Sequence, residues 1–322
     1  MPVDPQIQAL LDEMRALGAK PFEELSVAEA RAAAWSFAAL QGEPEEVASV
    51  EHTFIPGPTA ELPVRIYTPA GKGPFPGLVY FHGSGWVVLN IAVCDTTMRA
   101  LANSTGCKVV AVNYQKAPEH PFPIPFDDCW AATTWVFEHA EELDLDAARI
   151  GVLGDSAGGN LAAAVALKAR DEGAPKLAFQ GLIYPAVEHG WETGSAHENA
   201  EGYLLQRESM HWFWDHYIPD KSLTSDWRVS PLLADDHAGL PPAFIATAEF
   251  DPLRDDGRAY HAKLHDAGVP VTYVEYDGMI HGFYWMQGIA DGARRLHADL
   301  AEAIREVLQK PVTAPTSAVQ AG

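Results

Sequence analysis

Residues 154–159 read Gly-Asp-Ser-Ala-Gly-Gly, with Ser156 at the centre of a Gly-x-Ser-x-Gly pattern. The apolar run Ile150-Gly151-Val152-Leu153 precedes it, and LAAAVALKAR, a helical pattern, follows. A strand that turns into a helix over small residues projects the intervening side chain out of the turn. The helix then aims its N-terminal N–H groups and positive dipole end at the same spot. A serine so placed is suited to nucleophilic attack, provided that a base takes its proton and a carboxylate orients the base. In this strand–turn–helix setting the partners follow in the order acid, then histidine, each on a loop after a later strand. Asp251 follows the strand-like segment 243–247, and His281 follows 271–276, in Asp277-Gly278-Met279-Ile280-His281-Gly282-Phe283. Position singles out His281 among 13 histidines. Asp255 and Asp256 are rival acids that fall inside the next helix, where solvation or capping is the expected role. Glu249 is expected to support the acid.

A second glycine-rich turn, His82-Gly83-Ser84-Gly85-Trp86, ends the apolar run Leu78-Val79-Tyr80-Phe81. Glycine lets other groups approach the backbone N–H closely. The segment reads either as a plain turn or as a loop whose N–H groups face negative charge.

These residues need a scaffold, and the chain alternates accordingly. Strand candidates at 64–67, 77–81, 109–114, 150–153, 178–184, 243–247 and 271–276 are interleaved with helical patterns at 94–104, 126–142, 157–171, 254–267 and 288–308. That alternation predicts an α/β fold with a mostly parallel sheet, whose ligands sit at the C-terminal strand ends. Residues 5 to about 50 carry helical periodicity, from Ile7, Leu10, Leu11 and Met14 to an Ala-rich stretch at 28–40. Residues 186–230 contain Trp191, Tyr203, Trp212, Phe213, Trp214, Tyr217 and Trp227 but no clear strand. A lid over the site and helices packed on an edge both fit that texture. The tail 311–322 is rich in Pro, Ala, Ser and Thr and is expected to be disordered.

The chain has 322 residues and a formal charge of −22, which disfavours nucleic acid and anionic lipid as partners. Cys94, Cys107 and Cys129 lack any paired spacing, so free thiols in a reducing cytoplasm are expected. No signal peptide and no apolar run near 20 residues is read, which excludes a membrane span.

Five ordered blocks together resemble the bacterial hormone-sensitive-lipase family (family IV) of α/β-hydrolase carboxylesterases: HGSGW at 82–86, NYQKAPEHPFP at 113–123, GDSAGG at 154–159, DPLRDDG at 251–257 and HGF at 281–283. The opening DPQIQALLDEM is similar to the family's N-terminal cap. The resemblance implies a catalytic α/β domain in two parts, 51–185 and 231–310. Over it would lie a helical cap built from 1–50 and the insertion 186–230. It implies hydrolysis of short- to medium-chain acyl esters through Ser156, His281 and Asp251, with a small-molecule ester as partner. Homodimers are common among such proteins. By position in the family's loop, Ser84 and Gly85 donate N–H groups to the oxyanion, Gly83 shapes the turn, and Ala157 adds a donor. Each preorganised donor is worth about 3 kcal/mol.

Ser84 departs from the glycine usual there. A serine is strained if that position needs positive φ, and its hydroxyl would add a donor or narrow the pocket. Gln115-Lys116 and Asn113 also depart from the family pattern, in a segment read as structural. Trp86, Trp212 and Phe283 are candidate pocket residues. The mechanism requires no metal or organic cofactor. Gly83-x-Gly85 fails as a dinucleotide fingerprint at Val88, and His261 with His265 lacks a third-ligand motif. An amidase or lactonase would use the same triad. A receptor-like binding protein on this fold fits less well, because all three triad residues are present.

Overall fold

The computed structural model describes residues 2–190 and 192–309; the tail 311–322 lies outside them. The apolar runs form β1 (Ser49–Pro56), β2 (Glu61–Thr68), β3 (Phe75–Phe81), β4 (Lys108–Val112), β5 (Leu145–Asp155), β6 (Phe179–Ile183), β7 (Ala243–Phe250) and β8 (Val271–Ile280). They make one sheet in the order β1-β2-β4-β3-β5-β6-β7-β8. β2 pairs antiparallel with β1 and β4, and the remaining neighbours run parallel.

Every residue of β3, β4 and β6 is buried, as strands covered by helices on both faces must be. Strand alternation still sorts their side chains. Val79, Phe81, Val110, Val112 and Val152 join one core with α4 (Ile124–Glu138), α5 (Ala157–Glu172) and α8 (Arg254–Asp266). Leu78, Tyr80, Val109, Ala111 and Leu153 join the other with α3 (Asp95–Thr105) and α9 (Asp291–Leu308). Because β3 and β5 to β8 are parallel, their C-terminal ends share one edge. The loops carrying Gly83 to Gly85, Ser156, Asp251 and His281 leave the sheet there.

Above that edge lie α1 (Pro5–Ala16) and α2 (Val27–Ala33), followed by a 3-10 turn over Ala34–Leu40. The insertion supplies α6 (Gly194–Glu198), α7 (Arg207–Tyr217) and a 3-10 turn, with no strand among its described residues. α2 starts on a capping box in which Ser26 and Glu29 exchange hydrogen bonds. It is pinned downward by Arg31, whose guanidinium donates to the carbonyls of Val87 at 2.9 Å and Ala117 at 3.0 Å and pairs with Glu119. The N-terminal helical stretch is shorter than expected: it stops at Leu40, and β1 opens at Ser49. β1 is an edge strand with most side chains exposed, held by its pairing to β2, so it leaves little apolar signal.

Candidate active site

Ser156 caps the turn from β5 into α5 with φ 54° and ψ −120°. A non-glycine residue takes such a conformation only when its surroundings impose it, at a cost of about 1–3 kcal/mol. Close packing imposes it here. A side chain at Gly154 would strike the carbonyl of Gly158, and one at Gly158 would strike the carbonyl of Phe81. The Ser156 N–H is held by the carbonyl of Ile183 at 2.8 Å.

His281 Nε2 stands 2.9 Å from Ser156 Oγ, and its Nδ1 stands 2.7 Å from Asp251 Oδ2. An ionised carboxylate only accepts, so Nδ1 carries the proton and Nε2 is left to accept from the Ser156 hydroxyl. The Asp251 side chain is fully buried, and its other oxygen accepts from the N–H of Leu253 at 2.8 Å. Asn199, from the insertion, donates to the Asp251 carbonyl at 3.2 Å. The Tyr184 ring lies 4.5 Å from the His281 imidazole, centre to centre.

Among the described residues the N–H groups of Ser84, Gly85 and Ala157 have no hydrogen-bond partner. The N–H of Gly83 is engaged: it donates to Asp155 Oδ1 at 2.7 Å. Gly83 is therefore no oxyanion donor in this arrangement. A side chain there would collide with Asp155, which explains the glycine. Asp155 also accepts from Tyr80 at 2.6 Å and from Trp285 Nε1 at 2.8 Å. Burial pushes its carboxyl above the usual range against the pull of those three donors. Asp155 thus ties the oxyanion loop to the elbow, a role that sequence reasoning missed. The available signal was an acid at the buried end of an apolar strand.

Ser84 does not have positive φ; the left-handed positions of the loop are Gly85 at 53° and Trp86 at 60°. Its hydroxyl accepts from the Trp86 N–H at 2.9 Å and lies 2.6 Å from the Tyr114 hydroxyl. The Tyr114 hydroxyl in turn donates to the His82 carbonyl at 2.7 Å. Neither extra donor nor obstruction results, because the Ser84 side chain is committed inside the loop. Lys116 donates to the carbonyl of Tyr114 and to Asn113 Oδ1, both at 3.1 Å. Burial pulls its ammonium down to about 8.

A cavity of 70 Å³ opens at Ser156, walled by Phe22, Phe37, Leu204, Met210 and Phe213 among others. The expected Trp86, Trp212 and Phe283 do not line it. Trp86 is fully buried, stacked 4.4 Å from Tyr217 and tilted against Trp214 at 4.3 Å, and so fastens α7 onto the oxyanion loop. Phe283 is fully buried beneath the site between Tyr184 and Tyr276. Trp212 packs on His216; one residue on, about 100° around the helix, Phe213 faces the cavity. Asp256 is buried rather than solvated. It accepts from the Val187 N–H at 3.1 Å, and burial holds its carboxyl well above the carboxylate range. Asp255 accepts from the Ser195 N–H at 2.8 Å, so both acids bind insertion backbone. Glu249 accepts from the Gly278 N–H at 2.7 Å, linking β7 to the end of β8. His261 stacks on Tyr273, and the described residues hold no cluster of three or more His, Cys, Asp or Glu suited to a metal ion.

The chain is similar to proteins named as ester hydrolases. The chain is 35% identical over 315 residues to the carboxylic ester hydrolase LipN of Mycobacterium tuberculosis, covering 96% of this chain and 84% of that protein. It is 44% identical over 227 residues to the carboxylesterase NlhH of the same organism, covering 69% and 71%. The solved ester-hydrolase EH1AB1 from the metagenome of Lake Arreo, Spain, superposes with a TM-score of 0.92 at 42% identity, covering 96% of this chain and 100% of that one. The model of the α/β-hydrolase fold family matches residues 78–285, and this chain belongs to that family.

Proposed function

We propose that Ser156 attacks short- to medium-chain acyl esters in a two-step acyl transfer, with His281 as base and then acid and Asp251 as its orienting carboxylate. The reaction class follows from relatives named as ester hydrolases: the chain is a carboxylesterase. What carries the residue assignment is the hydrogen-bonded run from Ser156 Oγ through His281 to Asp251, at 2.9 and 2.7 Å, beside three unpartnered N–H groups. As Ser156 loses its proton to Nε2, the N–H groups of Ser84, Gly85 and Ala157 hold the oxyanion. His281 then protonates the leaving alcohol, and water releases the acid by the same route.

In this reading the helices within 1–50 and the insertion 186–230 form the cap, and 51–185 with 231–310 form the catalytic domain. Buried, unpaired Cys94, Cys107 and Cys129 support a cytoplasmic setting, and no helix among the described residues is long and apolar enough to cross a membrane. The assembly to look for is a homodimer, read by light scattering.

The test is hydrolysis of p-nitrophenyl esters from acetate to palmitate by wild type and Ser156→Ala. Turnover is expected to peak at short or medium chains and to fall about 10⁴-fold or more in the variant. Full activity in Ser156→Ala would refute the assignment. Amide and lactone arms of the panel read the competing substrate classes. Since neutral imidazole is the base, kcat/KM should fall towards acid pH, and a profile flat down to pH about 4 contradicts the mechanism.

A further inference from the structure

A second cavity, of 700 Å³, adjoins the catalytic one between the N-terminal helical segment and residues 202–206. The two share Phe22, Phe37 and Leu204 as walls, each half-buried. The inner chamber, at 70 Å³, has a tenth of the room of the outer one at 700 Å³. A substrate larger than a few heavy atoms beyond its carbonyl therefore has to continue past that partition.

The outer cavity is built to take an apolar group. α1 buries Ile7 and Leu11 in the core, yet it carries a second apolar stripe, Leu10, Met14 and Leu17, spaced i, i+4, i+7 and lining the cavity. Leu17 is 78% exposed. Charged Glu13, Arg15, Lys20 and Glu29 also line the cavity, and each is solvent-exposed.

The partition also has a side. A Cβ at Gly282 would come 3.2 Å from Leu204 Cδ2 and 3.9 Å from Phe37 Cε1, so these two stand over the residue that follows His281. In the mechanism above His281 protonates the leaving oxygen, which places the alcohol on its side. The opposite end, over Gly85 of the oxyanion loop, is stoppered by the Phe213 ring, which a side chain at Gly85 would strike.

We propose that the preferred substrates are esters of a small acid with a long, apolar alcohol. The acyl group occupies the inner chamber beneath Phe213 and Met210. The alcohol passes Phe37 and Leu204 and lies along Leu10, Met14 and Leu17. This deepens the carboxylesterase reading and rests on it.

The test compares kcat/KM for alkyl acetates from ethyl to octyl with that for ethyl esters of acids from acetic to octanoic, by pH-stat titration below their solubility limits. The proteins are wild type, Leu17→Asp, which puts a carboxylate on the outer wall, and Ser36→Trp, which fills the cavity. Both positions are solvent-exposed, so folding is not at stake. A methylene fully removed from water is worth about fourfold, so wild type should gain about tenfold or more from butyl to octyl acetate. It should lose activity along the acyl series beyond propionate. In both variants the octyl-to-ethyl acetate ratio should drop about tenfold. If the acyl series rises instead and the variants cut that rise, the cavity takes the acid and the proposal is overturned. It is overturned equally if neither variant moves either ratio. Failure of wild type to hydrolyse any member of either series would instead bring down the carboxylesterase reading itself, and this proposal with it.

Discussion

Ser84 puts a hydroxyl into a turn otherwise made of glycines, and every hydrogen bond it makes runs away from the reacting centre. The Tyr114 hydroxyl has one proton and gives it to the His82 carbonyl, so its oxygen is left to accept from Ser84 Oγ. Ser84 Oγ in turn accepts from the Trp86 N–H. This relay clamps the turn on both sides of Ser84 and Gly85, whose N–H groups are unpartnered. Ser84→Gly and Ser84→Ala both cut the relay, leave the Trp86 N–H without its acceptor and the Tyr114 oxygen without its donor, and loosen the turn. If one oxyanion donor is worth about 3 kcal/mol in full, partial misplacement should lower kcat about tenfold. KM should change little, because the donors matter most in the transition state. Tyr114→Phe should shift kcat in the same direction. Steady-state kinetics on p-nitrophenyl acetate would read this, and a change confined to KM would mean that the hydroxyl meets substrate instead.

At the scale of elements, α5 does more than carry the nucleophile on its first turn. Asn160, fully buried one turn into α5, donates to the carbonyls of Ala186 at 2.7 Å and Val229 at 2.8 Å. Those carbonyls mark where the insertion leaves the sheet and where it returns. Asn160→Ala orphans both, at about 1–3 kcal/mol each, and should lower stability in urea by about 2–4 kcal/mol. Limited proteolysis should then cut first within 186–230; cleavage elsewhere, or unchanged stability, would count against the clamp. The same elements divide what is legible in the sequence from what is not. β3, β4 and β6 are buried along their whole length because helices cover both faces, and a parallel sheet sends the C-terminal ends of β3 and β5 to β8 to one edge. Ser156, Asp251 and His281 can therefore be located by chain position alone. The cavity walls cannot. Whether Trp212 or Phe213 faces the chamber depends on how α7 is rotated, and that is set by Trp86 stacking on Tyr217, a contact 131 positions apart along the chain. Asp256 looks like a surface acid until the insertion backbone folds over it.

Across the whole molecule, acid is the condition that separates its competing electrostatic demands. The formal charge of −22 repels itself at neutral pH, and protonating surface carboxylates relieves that repulsion. Buried histidines act in the opposite sense. His297, packed within the sheet's second core, donates from Nε2 to the Tyr284 carbonyl at 3.0 Å and stacks on the Tyr284 ring at 4.5 Å. Burial lowers it from 6.5 to about 4. His82, wholly enclosed below the oxyanion loop, is lowered by burial to about 3, with Lys116 adding to the effect. Between pH 6.5 and 4 the unfolded chain binds a proton at position 297 that the folded chain refuses, so stability falls as pH falls. From pH 7 to 5 that single site should remove about 2 kcal/mol. His297→Phe keeps the ring stack and removes the titration. Urea denaturation followed by tryptophan fluorescence should show the variant losing about 2 kcal/mol less than wild type between those two pH values. Its stability at pH 7 is expected to be lower, since the Tyr284 carbonyl loses its partner, so the informative quantity is the difference between the two slopes. Parallel slopes would mean that the folded and unfolded chains take up a proton at position 297 over the same pH range, and the acid sensitivity would then have to come from His82 and the carboxylates.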